Sequence, residues 1–81
     1  MNGYNNRIEF KGQSYIVQTQ DKGPGCPYVE SLIYRSGRLL TSKRAPYTAF
    51  LTNPDLPAIL QRMMEDQHKQ ILEEIVEGRF D

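Results

Sequence analysis

One cysteine, one histidine and no tryptophan stand among the 81 residues. A lone thiol, Cys26, makes no internal disulfide, which excludes a disulfide-stapled scaffold and predicts a reducing, cytoplasmic setting. A lone imidazole, His68, has no second histidine with which to share an ion, so no metal site is predicted and His68 reads as a helix-surface residue at the edge of an apolar stripe. No apolar run approaches the ~18 residues of a membrane span, so no membrane partner is expected. The opening Met1-Asn2-Gly3-Tyr4-Asn5-Asn6 has no basic stretch followed by an apolar one, and no secretory signal is expected from it. Phosphate-loop, G-x-G-x-x-G and G-x-S-x-G patterns are missing, and no cofactor is predicted. Neither Cys26 nor the adjacent carboxylates Glu65/Asp66 and Glu73/Glu74 reads as catalytic. Neighbours on a helix diverge by ~100°, which makes poor dyads.

What is present is enough for one domain, with residues 1–6 as a frayed lead-in and 7–81 as a single unit. A chain this short buries roughly 60–65% of its unfolded surface, so its core is thin. The formal net charge is zero, but the balance is split. Residues 1–44 carry seven Lys/Arg against three Asp/Glu, a net +4; residues 45–81 carry three against seven, a net −4. The halves either complement one another, within one chain or across a dimer, or leave a basic sheet face for an anion.

The front half alternates as hairpins do. Arg7-Ile8-Glu9-Phe10 and Tyr15-Ile16-Val17-Gln18-Thr19 flank a turn at either Lys11-Gly12 or Gly12-Gln13. The second has glycine first, as a type II′ turn wants, and would pair Phe10 with Tyr15 and Ile8 with Val17; it is the preferred register. Residues 21–27 are a loop on composition and the most mobile interior segment expected. Tyr28 to Tyr34 and Arg38 to Lys43 flank a Ser36-Gly37 turn, pairing Tyr34 with Leu39, Ile33 with Leu40 and Leu32 with Thr41. Leu32, Tyr34 and Leu39 then share one face; Val29, Ile33 and Leu40 share the other, with Arg35, Arg38 and Arg44 at its edges. One helix covers one face, so the second apolar face points to another subunit.

Pro46 suits the start of a short helical turn carrying Tyr47, Phe50 and Leu51. From Asp55 to Gly78 the chain reads as one amphipathic helix, Asp55 capping its N-terminus and Gly78 ending it. Leu56, Leu60, Met63, Met64, Ile71 and Ile75 fall in an arc of about 120°, interrupted by Gln67 and Glu74. Such a helix spans ~33 Å, while strands of five to seven residues span only ~17–24 Å. The helix is therefore expected to overhang its sheet where Leu72 and Val76 widen the stripe. A homodimer or other protein partner would cover Met64, His68, Leu72, Ile75 and Val76; the alternative is that Phe80 or the loop folds over them.

The fold class is α+β: a four-stranded antiparallel sheet of two β-hairpins, a short helical turn and one long C-terminal amphipathic helix. The function predicted is a non-enzymatic interaction module, self-associating through the helix and the uncovered sheet face. A second reading is an anion or nucleic-acid binder using Arg35, Arg38, Lys43 and Arg44 beside Tyr34 and Tyr47; a third is a small enzyme.

Residues Tyr15 to Asp21, Val29 to Tyr34, Gly37-Arg38-Leu39-Leu40, Ser42-Lys43 and Tyr47, with the tail from Met64 to Asp81, resemble a recurrent small domain of uncharacterised bacterial, mostly deltaproteobacterial, proteins. The resemblance covers roughly residues 8–81 and carries no catalytic residue. It implies that the strand end Val17-Gln18-Thr19-Gln20-Asp21 belongs to a shared design, with Gln18, Gln20 and Asp21 as a contact surface.

Overall fold

The computed structural model describes residues 3–80. Four antiparallel strands, β1 (Gly3–Phe10), β2 (Gln13–Asp21), β3 (Tyr28–Arg35) and β4 (Arg38–Pro46), lie in the order β1-β2-β3-β4. A 3₁₀ turn (Thr48–Phe50) leads to one helix, α1 (Leu56–Val76). The architecture is the α+β sheet-plus-helix expected, with the strands in meander order. β1 begins earlier than its apolar alternation does: residues 3–6, read as frayed, pair with β2, while residues 1 and 2 lie outside the described set. Gly3 is needed there, because a Cβ would press on the Thr19 carbonyl oxygen.

The first hairpin corrects the preferred register. Phe10 pairs with Gln13 and Ile8 with Tyr15, so the turn is Lys11-Gly12. Both turn residues have positive φ, 50° and 77°, the type I′ geometry whose twist matches the strands. The two registers differ by two residues. Either one keeps Ile8, Phe10, Tyr15 and Val17 on one face, so apolar patterning does not separate them. The Ser36-Gly37 turn is as expected, with φ 51° and 83° and Tyr34 opposite Leu39. Beyond it a β-bulge intervenes: Ile33 faces Thr41 and Leu32 faces Ser42, leaving Leu40 without a partner of its own. Leu40 packs on the core instead. Every β4 residue past the bulge is thereby turned to the face opposite the one simple alternation assigns.

The helix starts at the expected place but by another device. Asp55 occupies the cap position with no side-chain bond; Asn53 Oδ1 accepts the Asp55 N–H at 2.8 Å and the Asn53 carbonyl accepts the Leu56 N–H. Gly78 ends the helix with φ 79°. The Gly78 N–H reaches the Ile75 carbonyl and the Arg79 N–H reaches Glu74, the paired bonds of a Schellman motif. The helix lies over β2, reaches β1 and β3, and leaves β4 at the margin.

Two apolar clusters hold the layers together. Tyr15, Val17, Ile33, Ile71 and Ile75 form one, with Ile8, Phe10, Leu40, Leu72 and Phe80 packed against it. Val29, Tyr47 and Met64 form the other, with Tyr4, Leu51, Leu56, Leu60 and Met63 around it. Each fully buried aliphatic side chain contributes ~1.5–3 kcal/mol before entropy, so packing decides that the helix forms. The length mismatch behind the predicted overhang is not found. Strands of eight or nine residues span ~27–30 Å at ~3.3–3.4 Å per residue; the 21-residue helix spans ~31 Å.

Of residues 21–27, expected to be a mobile loop, Asp21 ends β2 and the rest are stitched by backbone bonds: Lys22 N–H to Tyr28, Cys26 N–H to Gly23 and Tyr47 N–H to Pro27. Asp21 Oδ1 accepts both the Gly23 N–H and the Tyr47 hydroxyl at 2.9 and 2.6 Å. Burial, then the Asp21 carboxylate, push the Tyr47 phenol up to about 12.

Candidate functional site

Register alone builds an apolar row on the sheet face that α1 does not cover. Ile16, Tyr34 and Leu39 stand directly opposite one another across β2, β3 and β4, with Arg7 at the β1 end. One step along, Asn5, Gln18, Leu32 and Ser42 form the next row on the same face. Ile16, Leu32 and Tyr34 are half-buried by their neighbours, and Leu39 is 55% exposed. No described element crosses this face. Its other end is polar and closed on itself. Glu30, buried although it lies on the open side, takes Arg44 Nε at 3.0 Å and Lys22 Nζ at 3.9 Å, and the Arg44 guanidinium lies over the Tyr28 ring. Gln18 and Gln20 share the open face, while Asp21 is turned to the loop and Tyr47.

The helix–sheet seam holds the molecule's other constellation, between the two apolar clusters. Thr19 is 2% exposed, Ser31 0% and His68 4%. Gln67 Nε2 donates to Ser31 Oγ at 2.8 Å, Ser31 and Thr19 hydroxyls meet at 2.6 Å, and Thr19 Oγ1 meets His68 Nδ1 at 2.7 Å. His68 Nε2 meets Asn6 Oδ1 at 2.8 Å. An imidazole protonated on Nε2 and donating to Asn6 makes this a continuous chain: Ser31 donates to Thr19, and Thr19 to Nδ1. Tyr4 stacks at a tilt on His68, its ring 5.6 Å away, and its hydroxyl bridges Gln61 and Glu65. Gln61 Nε2 also donates directly to Glu65 Oε1 at 2.9 Å, and this bond, then the one from Tyr4, hold the Glu65 carboxyl below the usual range. Desolvation and the Glu65 carboxylate raise the Tyr4 phenol. Desolvation lowers the His68 pKa. Among the described residues no buried side-chain polar atom lacks a partner.

A hydroxyl 2.7 Å from an imidazole nitrogen has the spacing of an activated nucleophile and its base. Here both hydroxyls are sealed between sheet and helix, where a substrate does not reach them. The arrangement satisfies polar groups inside a thin core and ties helix rotation to strand register.

The residues singled out from sequence fall out differently. Met64, His68 and Ile75 are buried by their own sheet, and Leu72 packs on the core beside Phe80; Val76, 53% exposed, is the only one of the predicted helix surface left open. His68 is therefore a seam residue, not a surface one. The basic set assembles only in part. Arg35 and Arg38 sit at the turn end of the sheet, while the bulge sends Arg44 to the opposite face and into its pair with Glu30. Lys43 is exposed, and its carbonyl accepts from Gln67. The seam had a legible signal: Thr19 and Ser31 occupy inward positions of β2 and β3, and Gln67 and His68 interrupt the helix stripe at the same level. Cys26 is exposed, and the described residues hold no cluster of ligating side chains. No described helix is long and apolar enough to cross a membrane. Comparison of the chain with protein-family models, curated proteins and solved structures finds no match.

Proposed function

We propose that the protein is a non-enzymatic interaction module that self-associates face to face through the uncovered side of its sheet. The observation that carries this reading is the in-register row Ile16–Tyr34–Leu39, with Leu32 beside it, on a face that no described element covers. Aromatic and aliphatic side chains presented on a pre-formed sheet cost little conformational entropy to bury, and face-to-face sheet stacking interdigitates such rows at ~10 Å. The polar residues around the row, Arg7, Gln18 and Ser42, supply the rim expected of an interface. The helix takes no part, because its apolar side is already spent on the sheet.

Sedimentation velocity across a concentration series tests the reading. At about 100 µM, far above a micromolar Kd, the expected species has twice the 9.4 kDa chain mass, and Tyr34→Asp with Leu39→Asp returns it to monomer. A monomer at that concentration overturns the proposal.

A further inference from the structure

The two hairpin turns close at the same end of the sheet and frame a second, independent site. Lys11, Gln13, Arg35, Ser36 and Arg38 line one open depression of about 580 Å³. The Ser36 N–H donates to the Ser14 carbonyl at 2.8 Å and Ser36 Oγ donates to Gln13 Oε1 at 2.8 Å, fastening one turn to the start of β2. Among the described residues, three cationic side chains and no carboxylate line the depression.

The register adds the decisive oddity. Arg35 and Arg38 are directly opposite across the ladder, where like charges destabilise a sheet. Among the described residues neither makes an ion pair; Arg35 Nη1 instead donates to the neutral Phe80 carbonyl at 2.6 Å. That bond holds one guanidinium in place and leaves its other donors for a ligand. A paired set of guanidiniums matches the oxygens of a phosphate, which accepts from both forks and cancels their repulsion.

We infer that the depression between the two hairpin turns, lined by Arg35, Arg38, Lys11, Gln13 and Ser36, binds the phosphate group of a small phosphomonoester. A polynucleotide fits less well. Arg44 is committed to Glu30 at the other end of the sheet, so no basic track continues from the depression along which a strand could lie.

The test is a titration of the ¹⁵N-labelled full chain with inorganic phosphate, matched in ionic strength by chloride, following the Arg Nε–Hε, Gln13 side-chain and Ser36 and Arg38 backbone signals. The expected result is saturable shifts confined to those groups, with a Kd on the order of millimolar. Arg38→Gln weakens binding at least tenfold, and Arg44→Gln leaves it unchanged. Thermal unfolding supplies a second readout. Without phosphate, Arg38→Gln is more heat-stable than the parent because the opposed pair is gone; with saturating phosphate the order reverses. Linear shifts equal to those in chloride, or equal titration of parent and Arg38→Gln, overturn the assignment. So does a single-stranded 12-mer lacking a terminal phosphate that binds the same groups tenfold more tightly than phosphate, which would mark the site as a polynucleotide one.

Discussion

The two faces of one sheet carry similar side chains and meet different fates. On the covered face Tyr15, Val17 and Ile33 disappear beneath α1. On the open face Ile16, Leu32 and Tyr34 are shielded only by each other, and Leu39 stays in water. Composition does not separate the faces. Coverage does: a single helix of 21 residues lies over β2 and its neighbours and has no second apolar side to offer. The same hydrophobic content stabilises the fold on one side and is left without a covering layer on the other.

The largest expected contrast comes from truncating one residue on each face. Ile33→Ala opens a cavity in the first cluster and is expected to cost about 2–5 kcal/mol. Leu39→Ala, on the open side, is expected to stay within about 0.5 kcal/mol. Urea unfolding at a concentration low enough to hold the chain monomeric measures both. Equal losses would mean that the open face is covered in solution by the chain itself.

A smaller effect is expected at the seam. Thr19→Val keeps shape but removes the link between Ser31 and His68 Nδ1, leaving buried groups unpaired at a cost of about 1–3 kcal/mol. The double variant Thr19→Val with His68→Leu is expected to recover part of that loss, because it removes the stranded acceptor too. A double variant worse than the sum of its parts would show that the seam is held by packing and not by its hydrogen bonds.

The smallest effect is the pH dependence of that same seam. Desolvation lowers the His68 pKa in the folded chain, so between the unfolded value of about 6.5 and the lowered folded value the unfolded chain binds more protons. Stability is therefore full above about pH 6.5, declines as pH falls below it, and levels once the folded imidazole is charged too. Against the parent, His68→Gln removes that increment of acid sensitivity; an identical pH profile in the two chains would mean that the imidazole is solvated in the native state.

Much of this molecule is legible in its sequence, and the failures are local and physical. Ser36-Gly37 and Gly78 demand positive φ, so one turn and the helix end were readable from single residues. The first hairpin was not, because two registers keep the same four apolar residues inward, and the one adopted puts Lys11 at a positive φ that its residue type does not announce. The Leu40 bulge has no composition cue, yet it moves Arg44 to the other face and separates it from Arg35 and Arg38. Strands longer than their apolar alternation closed the expected length mismatch with the helix, since Gly3-Tyr4-Asn5-Asn6 pairs with β2 through backbone bonds that side-chain hydropathy does not report. His68 looked like a surface residue because its partners, Thr19 and Asn6, lie 49 and 62 positions away.

The association state of the native chain tests the central claim most directly. Sedimentation velocity of the parent at about 100 µM is expected to show a dimer that Tyr34→Asp and Leu39→Asp dissolve while the fold, by far-UV circular dichroism, is kept. A parent that sediments as a monomer, or a dimer indifferent to both substitutions but broken at Val76, would contradict the account.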